Sequence, residues 1–235
     1  MHPLTDRQTE ASAALRRLAD EFWEDVLEAS PTFATVLGIR RFDDRLDDLS
    51  LTGRREIEAR RRAVAAAARA IDPEALSAAD RVTRQMLIDE ADGQARSLAA
   101  GTIDWTVDPI GGPQTGLQDL VDYQTIASPG DGAALAARWR AIGPHVDDAI
   151  ENLRRAAAEG RIAPRAPVER TVDILEHLEA TPVESWKLAA PAQAAHDDWT
   201  VSEREAFREE LLTSISEVAG PAFQRYRQVL RSEIL

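Results

Sequence analysis

The feature that most constrains this chain is a repeating pattern of apolar residues at three- and four-residue intervals, cut into segments by proline and glycine. Leu15, Leu18, Phe22 and Val26 set the pattern, and Val168, Val172, Leu175 and Leu178 repeat it. That spacing places apolar side chains on one stripe of a helix, whereas a half-buried strand needs strict alternation. Composition points the same way. Alanine, leucine, arginine and glutamate dominate, aromatic residues are only 5% of the chain, and β-branched runs are almost absent. The 235 residues are therefore expected to form one all-α domain, an irregular bundle of about nine or ten helices with little or no strand.

The breaks give the order of elements. Thr5 or Asp6 caps a first helix reaching about Ala29, and Ser30-Pro31 opens a short second one that Gly38 ends. A long helix from about Thr52 to Ile71 stops at Asp72-Pro73. Ser77 and Asp80 resemble a capping box for a helix to Ala100, with Val82, Met86, Ile88 and Leu98 inward and Gly101 as its C-cap. Ile103, Trp105 and Val107 alternate with polar residues and allow a short extended piece. Ser128 to Gly132 break the chain again. Helices from about Ala133 to Ile142, Pro144 to Glu159 and Pro167 to Ala180 follow. Ser202 and Glu205 form a capping box for a last helix, bent or broken at Gly220-Pro221. The chain stops at Leu235 inside an apolar-periodic pattern, which suggests a cut chain or one part of a larger protein.

Several functions lack the residues they need. A net charge of -13 disfavours nucleic acid as a partner, since phosphate binding needs a basic surface. No apolar run reaches the roughly 18 residues of a membrane span, and no signal peptide opens the chain, so a cytoplasmic protein without a membrane partner is expected. There is no cysteine. Phosphate loops, dinucleotide fingerprints and nucleophile elbows are missing. The four histidines, His2, His145, His177 and His196, never occur one helical turn apart, as a zinc-binding His-Glu-x-x-His helix requires, and read as helix-surface or capping residues. Asp43, Asp44, Asp47 and Asp48 lack the spacing of a calcium loop; with Arg40, Arg41 and Arg45 beside them they read as a solvated, internally paired segment. No catalytic or metal-binding residue is identified.

The stretch from Asp108 to Tyr123 departs from helical monotony. Asp108-Pro109-Ile110-Gly111-Gly112-Pro113-Gln114-Thr115-Gly116 packs three glycines and two prolines into nine residues. Such a shaped loop serves either function or close helix packing. Gln114, Gln118 and Asp122 follow at intervals of four, a polar row apart from Leu117, Leu120 and Val121. Asp108, Gly111, Gly112, Gln114, Gln118 and Asp122 are thus candidate substrate-binding residues. Arg165 joins them because, with Arg161, it flanks a rigid connector from which arginine could grip a carboxylate or merely satisfy helix ends.

Four stretches together resemble a known family. Residues 30–38 (SPTFATVLG), 42–50 (FDDRLDDLS), 108–114 (DPIGGPQ) and 152–164 (NLRRAAAEGRIAP) are similar, in that order, to the N-terminal half of the bacterial domain-of-unknown-function 885 family. The resemblance implies a largely helical zinc metallopeptidase of the His-Glu-x-x-His superfamily, with peptide substrates in a deep cleft. It also implies that the zinc helix lies in a C-terminal half absent from these residues, so no zinc ligand or general base carries over. Zinc is expected only with that half, and the expected partner is a peptide-like substrate or the missing half itself. A freestanding helical binding or scaffold protein built on the same half-fold is the alternative.

Overall fold

The structure, a computed structural model, describes residues 6–235. His2 and Thr5, the latter one of the two candidate caps of the first helix, lie outside the described residues. The described chain is all-α, 79% helical and without a strand. Its helices are α1 (Asp6–Ala29), α2 (Pro31–Val36), α3 (Leu51–Ala70), α4 (Ala78–Ala100) and α5 (Pro113–Asp119). There follow α6 (Pro129–Arg140), α7 (Ile142–Ala158), α8 (Arg165–Glu179), α9 (Val201–Ser214) and α10 (Gly220–Val229). Where length predicts one domain, the chain divides into two compact units: Met1–Ala29 with Leu51–Thr102, and Ser30–Ser50 with Ile103–Leu235.

The first unit is built from α1, α3 and α4. Leu15 and Phe22 of α1 meet Ala65 and Ala68 of α3, Leu76, and Leu87, Ile88 and Ala91 of α4 in one core. Alanines on the facing sides of α3 and α4 let the two backbones approach closely. Val82 and Met86, expected inside, are 59% and 66% exposed. The buried stripe runs through Leu87, Ile88, Ala91 and Ala95, and 3.6-residue periodicity carries Val82 and Met86 to the opposite side. The arginine-rich part of α3 is not wholly solvated. Arg61 is 2% exposed, donates to Gln94 Oε1 at 2.6 Å, pairs with Asp25 and lies over the Phe22 ring. Ser77 caps α4 as expected, its Oγ accepting from Asp80 N at 3.1 Å. Hydroxyl donation, first from Ser12 and then from Ser77, holds the Asp80 carboxyl below its usual range.

The second unit buries a larger core, centred on Trp139, Ile142 and Val146 with Leu175, Phe223 and Tyr226. A 3₁₀ turn, Thr102–Trp105, replaces the extended piece allowed by the alternation there. Helix α6 begins at Pro129, four residues before its expected start, because Ser128 and Asp131 form a reciprocal capping box around a proline already set for a helix. The box before α9 is Thr200 with Glu203, not Ser202 with Glu205. The last helix neither breaks nor kinks to a stop at Gly220-Pro221. Residues 201–234 run continuously helical, with a π-helical stretch, Ile215–Ala219, just before the proline and a second one, Leu230–Ile234, at the end. Widening one turn absorbs the missing N–H and the ring of Pro221. The apolar face of this helix is spent inside the unit: Phe223, Tyr226, Val229, Leu230 and Ile234 are all buried.

Candidate functional site

A single bonding pattern fixes one side of the site. Residues 39–50 contain only one short 3₁₀ turn, Arg40–Phe42, so most of their backbone carbonyls need partners from elsewhere. Five find them on side chains of α6, α7 and the segment after α5. Arg138 donates from Nε to the Arg45 carbonyl at 2.8 Å and from Nη2 to the Phe42 carbonyl at 2.7 Å. Gln124 Nε2 donates to the Asp43 carbonyl at 2.9 Å. His145 Nδ1 meets the Asp47 carbonyl at 3.0 Å, and Asn152 Nδ2 the Leu49 carbonyl at 2.9 Å.

Arg138 is the hub. It is fully buried and also donates to Gln124 Oε1 at 2.6 Å and Thr35 Oγ1 at 2.8 Å, with Asp43 Oδ1 3.7 Å away. Burial pushes its guanidinium down to about 10, opposed by Asp43, Asp47 and Asp44, so it stays charged at neutral pH. Of the four aspartates expected in a solvated, internally paired loop, Asp44 and Asp48 are exposed, while Asp43 and Asp47 are drawn into the fold. Asp43 is 5% exposed and accepts from Thr35 Oγ1, while Asp47 Oδ1 accepts the backbone N–H and hydroxyl of Thr32. Asp48 accepts from the Ser50 backbone.

The other side is the glycine loop. The three glycines of the loop have no positive φ; they are there for closeness. A Cβ at Gly112 would lie 2.3 Å from the Asp108 carbonyl oxygen and 2.8 Å from Gln114 Oε1, distances no real side chain tolerates. Asp108 Oδ1 accepts the Ile110 backbone N–H at 2.8 Å and Gln114 Nε2 donates to the Asp108 carbonyl at 2.8 Å, so the loop is closed by its own polar groups.

Between these two sides, within the second unit, lies an open cleft of about 470 Å³. Thr32, Phe33, Val36, Asp47 and Leu49 line it from the pinned segment, and Asp108, Gly111, Gly112 and Pro113 from the loop. His145 and Asn152 of α7 and Tyr226 of α10 also reach it. Exposed apolar side chains gather on its lining: Phe33 is 42% exposed, Val36 45%, Ile103 46% and Tyr123 52%. Two polar groups stand out. Because a carbonyl only accepts, His145 carries its proton on Nδ1 and keeps a lone pair on Nε2. Burial holds its pKa below the usual histidine range, against the pull of Asp47, Asp148 and Asp48. Tyr226 is 2% exposed, and its hydroxyl has no hydrogen-bond partner among the described residues; burial, then the nearby Asp108 charge, raise its pKa.

The candidates from sequence divide. Asp108, Gly111 and Gly112 line the cleft. Gln114 is fully buried beneath the loop, and Gln118 Nε2 turns back to the Gln114 carbonyl at 2.7 Å, because the loop needs both amides for its own closure. Asp122 is held by Lys187 Nζ at 2.7 Å, which also reaches Asp119 at 2.9 Å. Arg165 is exposed and paired with Glu169 one turn along α8. The polar row therefore closes the loop and ties it down, while His145, Asn152 and Tyr226 are the cleft residues that local reading misses. Arg138, His145 and Asn152 recur at intervals of seven, two helical turns, but Arg140, Asp147, Asp148 and Glu151 lie among them, so the spacing does not single them out. Among the described residues no group of three or more His, Cys, Asp or Glu could hold a metal ion. The donor set around His145, with no second histidine in the cleft, does not fit zinc.

Comparison with known proteins agrees on the fold. The chain superposes on the crystal structure of "the putative lipoprotein from Colwellia psychrerythraea" with a TM-score of 0.78 at 13% identity, over 98% of this chain and 42% of that one. Identity that low establishes shared architecture and nothing more, and the chain spans less than half the length of that protein. No curated protein matches. The family described as "Bacterial protein of unknown function (DUF885)" matches residues 31–235, which include both the pinned segment and the glycine loop. The chain belongs to that family.

Proposed function

We propose that this chain is the helical, non-catalytic part of a zinc metallopeptidase-like protein, and that its cleft is a wall against which an extended peptide binds. The observation that carries the reading is the cleft itself: apolar side chains line it, a few convergent polar groups lie within it, and both sides are braced before any ligand arrives. Small-ligand and peptide sites have this character. The hydrolytic zinc, on this reading, is held by residues outside these 235, consistent with a structural neighbour more than twice as long.

Calorimetric titration with a panel of short peptides, with and without added zinc, tests the proposal. Peptide binding without turnover is the expected result. Zinc-dependent hydrolysis by this chain would overturn the non-catalytic assignment, and no binding by any peptide would overturn the cleft. One observation favours a second reading, a freestanding helical binding protein: the last helix buries Phe223, Tyr226, Val229, Leu230 and Ile234 within its own unit. The same titration separates the two, because a freestanding binder holds its peptide at full affinity while a wall alone holds it weakly.

A further inference from the structure

The polar character of the cleft is one-sided. Its lining carries three carboxylates, Asp47, Asp108 and Asp119, and no lysine or arginine. Their commitments differ. Asp47 Oδ1 caps Thr32, and Asp119 is paired with Lys187. Asp108 uses only Oδ1, on the Ile110 N–H; its Oδ2 lies over Gly111 without a hydrogen-bond partner among the described residues. The neighbouring groups do not offset this. His145 presents a lone pair rather than a charge, and Asn152 gives one of its two amide N–H groups to the Leu49 carbonyl. Tyr226 is the independent sign that a ligand completes the site, since a 2% exposed side chain reaches the cleft with an unpartnered hydroxyl. Beside these groups Phe33 and Tyr123 expose aromatic surface suited to an alkyl stem or a flat cation.

We propose that the cleft selects a cationic peptide group, a guanidinium or ammonium with an apolar neighbour, bound by Asp108 Oδ2 and the Tyr226 hydroxyl. The inference rests on the peptide-binding reading above and adds the substrate class. The many donors of a guanidinium or ammonium complement a lining rich in acceptors, and the charge on Asp108 strengthens each bond it accepts. The apolar neighbour of the cation covers Phe33, Val36 and Ile103. The net charge of -13 over the whole chain draws such a ligand in at low salt.

The test uses the whole chain and end-blocked pentapeptides containing a leucine beside arginine, citrulline or alanine, with an unblocked alanine peptide as a fourth arm. Citrulline keeps the shape of arginine and removes its charge. The arginine peptide is expected to bind roughly tenfold tighter than the citrulline one, an advantage lost at high salt. Asp108→Asn keeps the Oδ1 acceptor that closes the loop; it is expected to abolish the preference for arginine over citrulline while leaving the melting temperature unchanged. Tyr226→Phe is expected to weaken the arginine peptide several-fold without changing the helical content. Tight binding of the unblocked alanine peptide would identify the N-terminal ammonium as the source of charge and still support the cation site. Equal affinity for arginine and citrulline overturns the inference and leaves the peptide cleft standing. Binding of none overturns both.

Discussion

At the scale of residues, the site depends on a few side chains whose task is to satisfy backbone. Arg138 answers two carbonyls, a hydroxyl and an amide from a fully buried position. Arg138→Met should therefore cost about 3 kcal/mol or more, as removal of one partner from a buried charged network does, read as a lower urea midpoint. Gly112→Ala forces the loop off the Asp108 carbonyl and should cost about 1–3 kcal/mol, the range of overpacking. Gly111→Ala meets only the movable end of the Asp108 side chain and should be far milder in a melting comparison. His145 gives a sign for pH. Its folded pKa is depressed by burial, so below about 6.5 the unfolded chain takes up a proton that the folded chain refuses. Stability is thus full above that value and falls as pH drops from there toward the folded pKa. His145→Asn, which keeps a donor for the Asp47 carbonyl, should flatten the urea-midpoint curve below about pH 6.5. Sequence periodicity exposes none of these roles, because a buried arginine or a cleft histidine looks like any polar residue on a helix until its partners, some of them about a hundred residues away, are known.

At the scale of elements, local rules read well wherever a local interaction decides. The spans of α1 and α3, the Ser77 cap, the Gly101 terminus at φ +59° and the inward stripe of α8 all follow from neighbours within a turn or two. They mislead where two local signals compete. Thr200-x-x-Glu203 and Ser202-x-x-Glu205 are equally good capping boxes, and the earlier one wins. The rings of Trp199, His196 and Phe207, 4.2–5.5 Å apart, form a cluster just before and inside α9. Thr200→Ala should accordingly cost about 1 kcal/mol in thermal unfolding, and Ser202→Ala should be close to neutral. The segment after α2 shows a different limit. It has no period to read, since its shape is imposed by Arg138, Gln124, His145 and Asn152 on other elements. The glycine loop was visible as an anomaly, but glycine spacing alone could not tell that Gln114 and Gln118 serve the loop itself while Tyr226, a hundred residues on, stands in the cleft.

At the scale of the molecule, the all-α class was legible because nearly all of the apolar sequence repeats at three and four residues, the alternation at Ile103, Trp105 and Val107 being the exception. The division into two units was not, because each unit is assembled from separated stretches of chain and composition does not change at the joins. The family model covers residues 31–235, and the fold is shared with a protein more than twice as long. The central claim is that ligand binds between the pinned segment and the glycine loop of the second unit. Hydrogen exchange of the full chain with and without a saturating arginine-containing peptide tests it most directly. The account predicts slowed exchange confined to residues 32–49, 108–117 and 145–153, with α3 and α4 unchanged. Protection elsewhere, with those three stretches unaffected, would contradict it.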